Sequence, residues 1–386
     1  MIQNFHRRTI VPALALSFLI AADYCAVKAL NPAPAPRASR SDFYVSTSGS
    51  DSNEGTVKRP WKTISHAAAS LKPGATVHVT PGEYRENVIT SVRGTSSARI
   101  RYISDQQGAA HLIGAAGDAT WKNKADYVDI MGFDVTGSAP VGIHNLASYV
   151  RILGNTVHDI VAGCDSNGGA GIDDEGPSRS DNDDGFNVIY NVRQPSGCPQ
   201  RHGVGIYHAN PHGRVYNNLV MQCGAEGIQL WHAANAVIVA NNTVVDTDDT
   251  GILIGAGDSP GGITNDNSIV INNIVANNRR YGILEYGTTG PHNSYLNNIV
   301  FGNSIANLQL ITGIASGTII ADPQLVNNTG TVSGNYHLGA KSPGIDVGVT
   351  ANAPTSDIVG GTRPQGKAID IGAYETGAAP GKWPWI

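Results

Sequence analysis

Short β-branched runs recur through the middle of the chain, and each contains a pair of asparagines. The runs are VYNNLV around Asn217-Asn218, VANNTVV around Asn241-Asn242, VINNIV around Asn272-Asn273 and YLNNIV around Asn297-Asn298. The pairs are spaced 24, 31 and 25 residues apart. Upstream of each lies a Gly-Ile step: Gly205-Ile206, Gly227-Ile228, Gly251-Ile252 and Gly282-Ile283. Repeats of this length, with strand residues dominant and no helical period, predict a solenoid of β-strands. Asparagines at equivalent turns can hydrogen-bond along the stack, and asparagine tolerates the left-handed backbone such turns need. The fold class expected is all-β, a right-handed parallel β-helix with a short N-terminal capping helix. Function should then lie on a face of a long, rigid prism.

Aligning the coils on Gly-Ile points each Ile inward and the next residue outward. The outward row reads His144, Asp173, Tyr207, Gln229, Leu253, Leu284. Two positions on, a second row reads Leu146, Glu175, Ala209, Trp231, Gly255, Tyr286. Asp174, Arg201, His202, His208, Glu226 and His232 flank them. The polar part of these rows predicts a groove, with Trp231 offering a flat face to a sugar ring. The segment 164–201 interrupts the rhythm, and insertions on one face of a solenoid usually build its binding site. Within it, the run Ser180 to Gly185 lacks the glutamate of a calcium loop and is expected to be a solvated acidic loop.

The N-terminus carries Arg7 and Arg8 ahead of an apolar run from Val11 to Ala22, the pattern of a secretory signal. The expected organisation is a signal peptide over 1–29, a linker over 30–41, a β-helix domain over 42–375 and a tail over 376–386. Secretion or a periplasmic location follows, with no membrane span after cleavage. The net charge of only -5 gives no reason to expect nucleic acid. Gly at 46 of 386 residues and charged residues at 15% suit a turn-rich β architecture. Of the cysteines left after signal removal, Cys164 and Cys198 form the most plausible disulfide, leaving Cys223 over. A monomer acting on an extracellular polysaccharide is expected.

The segment FYVSTSGSDSNEGTVKRPWKTISHAAASLKPGATVHVTPGEYRE resembles the N-terminal unit of secreted, pectate-lyase-like parallel β-helix proteins, including family nine polysaccharide lyases. The resemblance implies the fold and secretion more than an activity. Ala321 to Leu325, Tyr336 to Leu338, Lys341 to Asp346 and Asp370 to Glu375 resemble the "choice-of-anchor" end region of bacterial β-helix proteins. The chain stops at Ile386 with no sorting helix, so anchoring is not expected.

Lyases of this fold are known for a lysine or arginine base beside calcium, yet no lysine occurs from Ala125 to Ala340. A β-elimination on a uronate therefore draws its base and acid from Tyr207, His208, Arg201 and His202. His144, Glu175, Glu226, Gln229, Trp231 and His232 are assigned to substrate binding. Calcium held by Asp165, Asp173 or Asp174 could neutralise the substrate carboxylate instead. Two other readings stay open. Asp173 with Glu226 could serve a β-helix glycoside hydrolase, and the same groove could bind glycan without cleaving it.

Overall fold

The computed structural model describes residues 41–164, 168–176, 178–198, 201–257, 264–381 and 383. The expected signal peptide, linker and Asp165 lie outside them. Three parallel sheets run the length of the solenoid, of eleven, nine and nine strands. Each of nine complete coils contributes one strand to each sheet, the eleven-stranded sheet has one further strand at either end, and every pairing among these strands joins successive coils in parallel. The architecture is the all-β, right-handed parallel β-helix expected.

The core is a set of stacked columns. Ile143, Ile172, Ile206, Ile228, Ile252 and Ile283 fill the inner side of one nine-stranded sheet, all fully buried. Val215, Val239, Val270 and Tyr295 stack inside the eleven-stranded sheet. Ile189, Val220, Val244, Val275 and Val300 fill the third. The glycine of each Gly-Ile step is required by a close approach. A Cβ on Gly227 would sit 2.3 Å from Val244 Cγ1, and one on Gly251 would sit 2.2 Å from Val275 Cγ1.

The paired asparagines divide their labour. The first of each pair takes the left-handed conformation, with φ of 52, 54, 56 and 50° at Asn217, Asn241, Asn272 and Asn297. The second points inward and forms a ladder from Asn155 through Asn187, Asn218, Asn242 and Asn273 to Asn298. Each rung donates its side-chain amide to the next rung's oxygen and to a backbone carbonyl one coil back. A second ladder runs Thr247–Asn278–Asn303–Asn307. Asn278, itself buried, thus belongs to a ladder, as the second of a further adjacent pair, Asn277-Asn278, beyond the four read from the β-branched runs.

The helix Ile64–Ser70 caps the N-terminal end. Thr63 accepts from His66 N at its start, while the Glu86 carboxylate accepts from Ile64 N and Ser65 N. The C-terminal region lies across the outer face of the third sheet. Tyr336, Leu338, Ile358, Ile371 and Ala373 pack there against Met221, Val245 and Ile274. The outward asparagines hold it: Asn217, Asn241, Asn272 and Asn297 donate to the carbonyls of Ser356, Asp370, Val349 and Val347. Among the described residues no helix is long and apolar enough to cross a membrane.

Candidate functional site

A groove of about 860 Å³ runs along the outer face of the sheet that carries the Ile column. Its floor is the predicted outward row. In register across successive coils stand Lys122, His144, Asp173, Tyr207 and Gln229, after which the row turns apolar at Leu253 and Leu284. Glu175 and Trp231 line the groove from the second row. Arg201, His202, Glu226 and His232 also line it, as does Asp118. The row at Leu253 ends beside an aromatic platform in which Trp231 and Tyr286 stack at 6.1 Å and 19°.

Three expectations need correction. The first concerns lysine. Lys122 stands one coil upstream of His144, held in an ion pair to Asp118, so the groove does contain one. The interval counted in the sequence began just after it. The coil of Lys122 has Trp121 where later coils have Ile, which hides its alignment with the Gly-Ile steps. The second concerns Asp174 and His208, assigned as a metal ligand and a catalytic group. Strand alternation turns both inward, where they are completely buried. No substrate in the groove can reach His208. Asp173 and Asp174 point to opposite faces and cannot hold one calcium ion together. The third concerns the acidic run: Asp184 is not solvated but fully buried, on the strand Asp183–Gly185.

The groove's electrostatics separate its acids. His144 Nε2 lies 2.9 Å from Glu175 Oε1, and its Nδ1 lies 3.8 Å from Asp118 Oδ2. Burial opposes protonation of His144, but the Glu175 hydrogen bond and the charges of Asp173, Glu175 and Asp118 outweigh it and raise its pKa. The same hydrogen bond to His144 lowers that of Glu175. Burial pushes Asp173 up to about 7, with His144 opposing. Glu226 is likewise pushed up to about 7 by burial and then by the charge of Asp249. Near neutrality the floor therefore holds a protonatable acid, Asp173, beside an ionised one, Glu175.

On the wall, Arg201 Nη1 donates to Asp249 Oδ2 at 2.9 Å and to Asp248 O at 3.2 Å, which holds the guanidinium in place. Tyr207 meets His232 edge-on, with centroids 6.2 Å apart at 81°. A disulfide joins Cys164 to Cys198 and Cys223 is free and buried, the arrangement expected. This bond ties together the two loops that supply Gly163, Gly168, Arg201 and His202 to the groove.

His144, Asp173 and Glu175 bring three metal-competent atoms within 4.8 Å of one another. Calcium takes six to eight oxygens. With Asp174 turned inward, this trio supplies two carboxylates and a nitrogen, a poor match.

Comparison with known proteins supports the architecture. Residues 141–329 match the model of the right handed beta helix region, and residues 47–90 match a protein family of unknown function, DUF1565. A curated relative, the uncharacterized protein YwoF of Bacillus subtilis (strain 168), is 38% identical over 60 residues. That match covers 16% of this chain and only 13% of YwoF. Among solved structures, pectate lyase Pel9A superposes with a TM-score of 0.65 at 15% identity, over 87% of this chain and 96% of its own. An alginate lyase from Paenibacillus sp. str. FPU-7 gives a TM-score of 0.53 at 19% identity, over 73% of this chain and 96% of its own. At these identities the likeness establishes the fold. The chain has the right-handed parallel β-helix fold.

Proposed function

We propose that this protein is a secreted, polysaccharide-active enzyme that cleaves a uronate-containing glycan by β-elimination. The observation that carries the reading is the unbroken polar row Lys122–His144–Asp173–Tyr207–Gln229 on the floor of an elongated groove, beside the Trp231–Tyr286 platform. A row of this kind follows the helix axis, and so would an extended sugar chain. Two solved structures that share this architecture are named as lyases of pectate and alginate, both uronate polymers, which supports the choice of substrate class.

Elimination needs a base for the proton α to the carboxylate, a group that stabilises the enolate-like carboxylate, and an acid for the departing oxygen. In this reading the neutral Asp173 carboxyl donates to the substrate carboxylate, and Lys122 and protonated His144 add positive charge. An imidazole is the side chain suited to accept a proton near neutral pH, and His232, edge-on to Tyr207, takes that role. The electron pair of the broken C–H bond forms the new double bond. The glycosidic C–O bond breaks, and the Tyr207 hydroxyl protonates the departing oxygen. Arg201, His202, Glu226 and Gln229 contact the neighbouring sugars, while Trp231 stacks on one of them.

A hydrolase reading has one observation of its own. Asp173, on the strand Ala170–Asp174, and Glu175, just past its end, both line the groove, and their pKa values are pushed in opposite directions. That is the pattern of an acid and base pair. A panel of acidic and neutral polysaccharides separates the readings. New reducing ends with the ultraviolet absorbance of an unsaturated uronate support elimination. New reducing ends without that absorbance refute it in favour of hydrolysis. Binding with neither product refutes both.

A further inference from the structure

Behind the groove floor, on the inner side of the same strands, sits a charged cluster that the elimination does not use. Asp174 follows Asp173, and His208 follows Tyr207, so alternation turns both inward. Asp184 reaches them from the adjoining eleven-stranded sheet. All three residues are 0% exposed. His208 Nδ1 lies 2.9 Å from Asp184 Oδ2 and 3.3 Å from Asp174 Oδ2.

The hydrogen bonding of this cluster is incomplete. Asp174 Oδ1 accepts from the side-chain amides of Asn145, Asn182 and Asn210 at 2.7, 2.9 and 3.0 Å. His208 Nδ1 shares a hydrogen bond with Asp184 Oδ2, so the atom left without a partner on this side of the ring is Asp174 Oδ2, 3.3 Å from the same nitrogen; Asp184 Oδ1 and His208 Nε2 are also buried without a hydrogen-bond partner. Two carboxylates face one imidazole, which can neutralise at most one of them. An uncompensated carboxylate in a dry interior is costly. A divalent cation would balance two carboxylates and a neutral imidazole. The spacings also suit it. Separations of 2.9 and 3.3 Å are those of neighbouring ligands around an ion bonded at about 2.0–2.2 Å.

We propose that Asp174, Asp184 and His208 bind one divalent transition-metal ion inside the β-helix, directly behind the Asp173–Tyr207 part of the groove. A nitrogen with two carboxylates favours zinc, manganese or iron over calcium. Because the cluster has no exposed surface, the ion enters while the coils assemble. It fastens two successive coils at the point where the groove floor is most polar.

The test refolds the full chain from denaturant with zinc, with manganese, or with EDTA, and counts bound metal by mass spectrometry after gel filtration. Refolding with the preferred ion should give about one ion per chain, and a higher Tm than refolding in EDTA. His208→Asn and Asp184→Asn should lose the ion, whereas Asp173→Asn, facing the groove, should keep it. If the inward variants do not fold, the wild type alone decides. Metal-free protein with the same Tm under all three conditions overturns the proposal. So does an ion lost in Asp173→Asn but kept in His208→Asn, which would place it in the groove.

Discussion

Replacing Asn242 by alanine tests the ladder in the centre of the molecule. Asn242 Oδ1 accepts from both Asn218 N and Asn218 Nδ2 at 2.9 Å, and its Nδ2 donates to Val215 O and Asn273 Oδ1 at 2.9 Å. Alanine keeps the backbone N–H to Asn273 Oδ1, but Asn218 N loses its acceptor, Asn218 Nδ2 keeps only its bond to Asp184 O, and Val215 O loses a side-chain donor. All these residues are fully buried, so water cannot take over. Each orphaned group costs about 1–3 kcal/mol before relaxation, and partial collapse of the site brings the sum to about 3–5 kcal/mol. For a folded part of about 340 residues, with an unfolding entropy of about 2.1 cal/mol/K per residue, that is a Tm loss of roughly 4–7 °C. A suitable control is Asn277→Gly, where φ is 59° and the side chain is exposed. Glycine adopts that backbone freely. Differential scanning calorimetry should show a large drop for Asn242→Ala and almost none for Asn277→Gly. Amide exchange should speed up in the coils on either side of Asn242. Equal melting of the two variants would refute the ladder as a stabilising element.

Asn278→Ala should destabilise much as Asn242→Ala does, because Asn278 Oδ1 accepts from Thr247 N and Thr247 Oγ1 in the second ladder, and calorimetry checks it. Trp231→Ala should raise KM by about tenfold with little change in kcat, as expected for losing a stacking face worth about 1 kcal/mol or more; a pure kcat effect would contradict its role. Activity should fall as pH rises through about 7, where Asp173 loses the proton it donates, and Asp173→Asn should flatten that limb of the profile. The same shift has a stability sign. The folded state holds this proton more tightly than the unfolded chain does, so the contribution is complete below the usual carboxylate range and is lost as pH rises through about 7. Removing the Cys164–Cys198 bond in a Cys164→Ser, Cys198→Ser double variant should raise KM several-fold, because the loops bearing Arg201 and His202 are no longer tied; an unchanged KM would remove the disulfide from any role in the groove.

The fold was legible because a solenoid writes its period into the sequence. Gly-Ile steps mark where a strand must enter a corner too tight for a Cβ, and the asparagine pairs mark the turns. Those two signals also set the register of the groove row, and the pairing of His144, Asp173, Tyr207 and Gln229 follows it. What the sequence hid was of two kinds. Lys122 sits in a coil whose column residue is Trp121, so the repeat does not announce it. Aligning Trp121-Lys122-Asn123 with Ile143-His144-Asn145 would have found it. Asp174, Asp184 and His208 were misread because polarity suggested solvent. Alternation alone already turned Asp174 and His208 inward, and it outweighs polarity once the Ile column is fixed. The C-terminal covering of the third sheet has no period at all and depends on contacts across more than a hundred residues, such as Asn241 with Asp370.

That covering gives the molecule a counting constraint unusual for a repeat architecture. Solenoids commonly gain or lose units, since each repeat touches only its neighbours. Here the outward asparagines of four successive coils each grip a different carbonyl of one continuous segment, from Val347 to Asp370. Duplicating or deleting a coil between Asn217 and Asn297 would leave every later grip out of step with its carbonyl. A chain with a coil added or removed there would lose those bonds, so the C-terminal segment is expected to act as a gauge of coil number. Lineages of this protein should vary in the loops flanking the groove, while the number of coils beneath the segment stays constant.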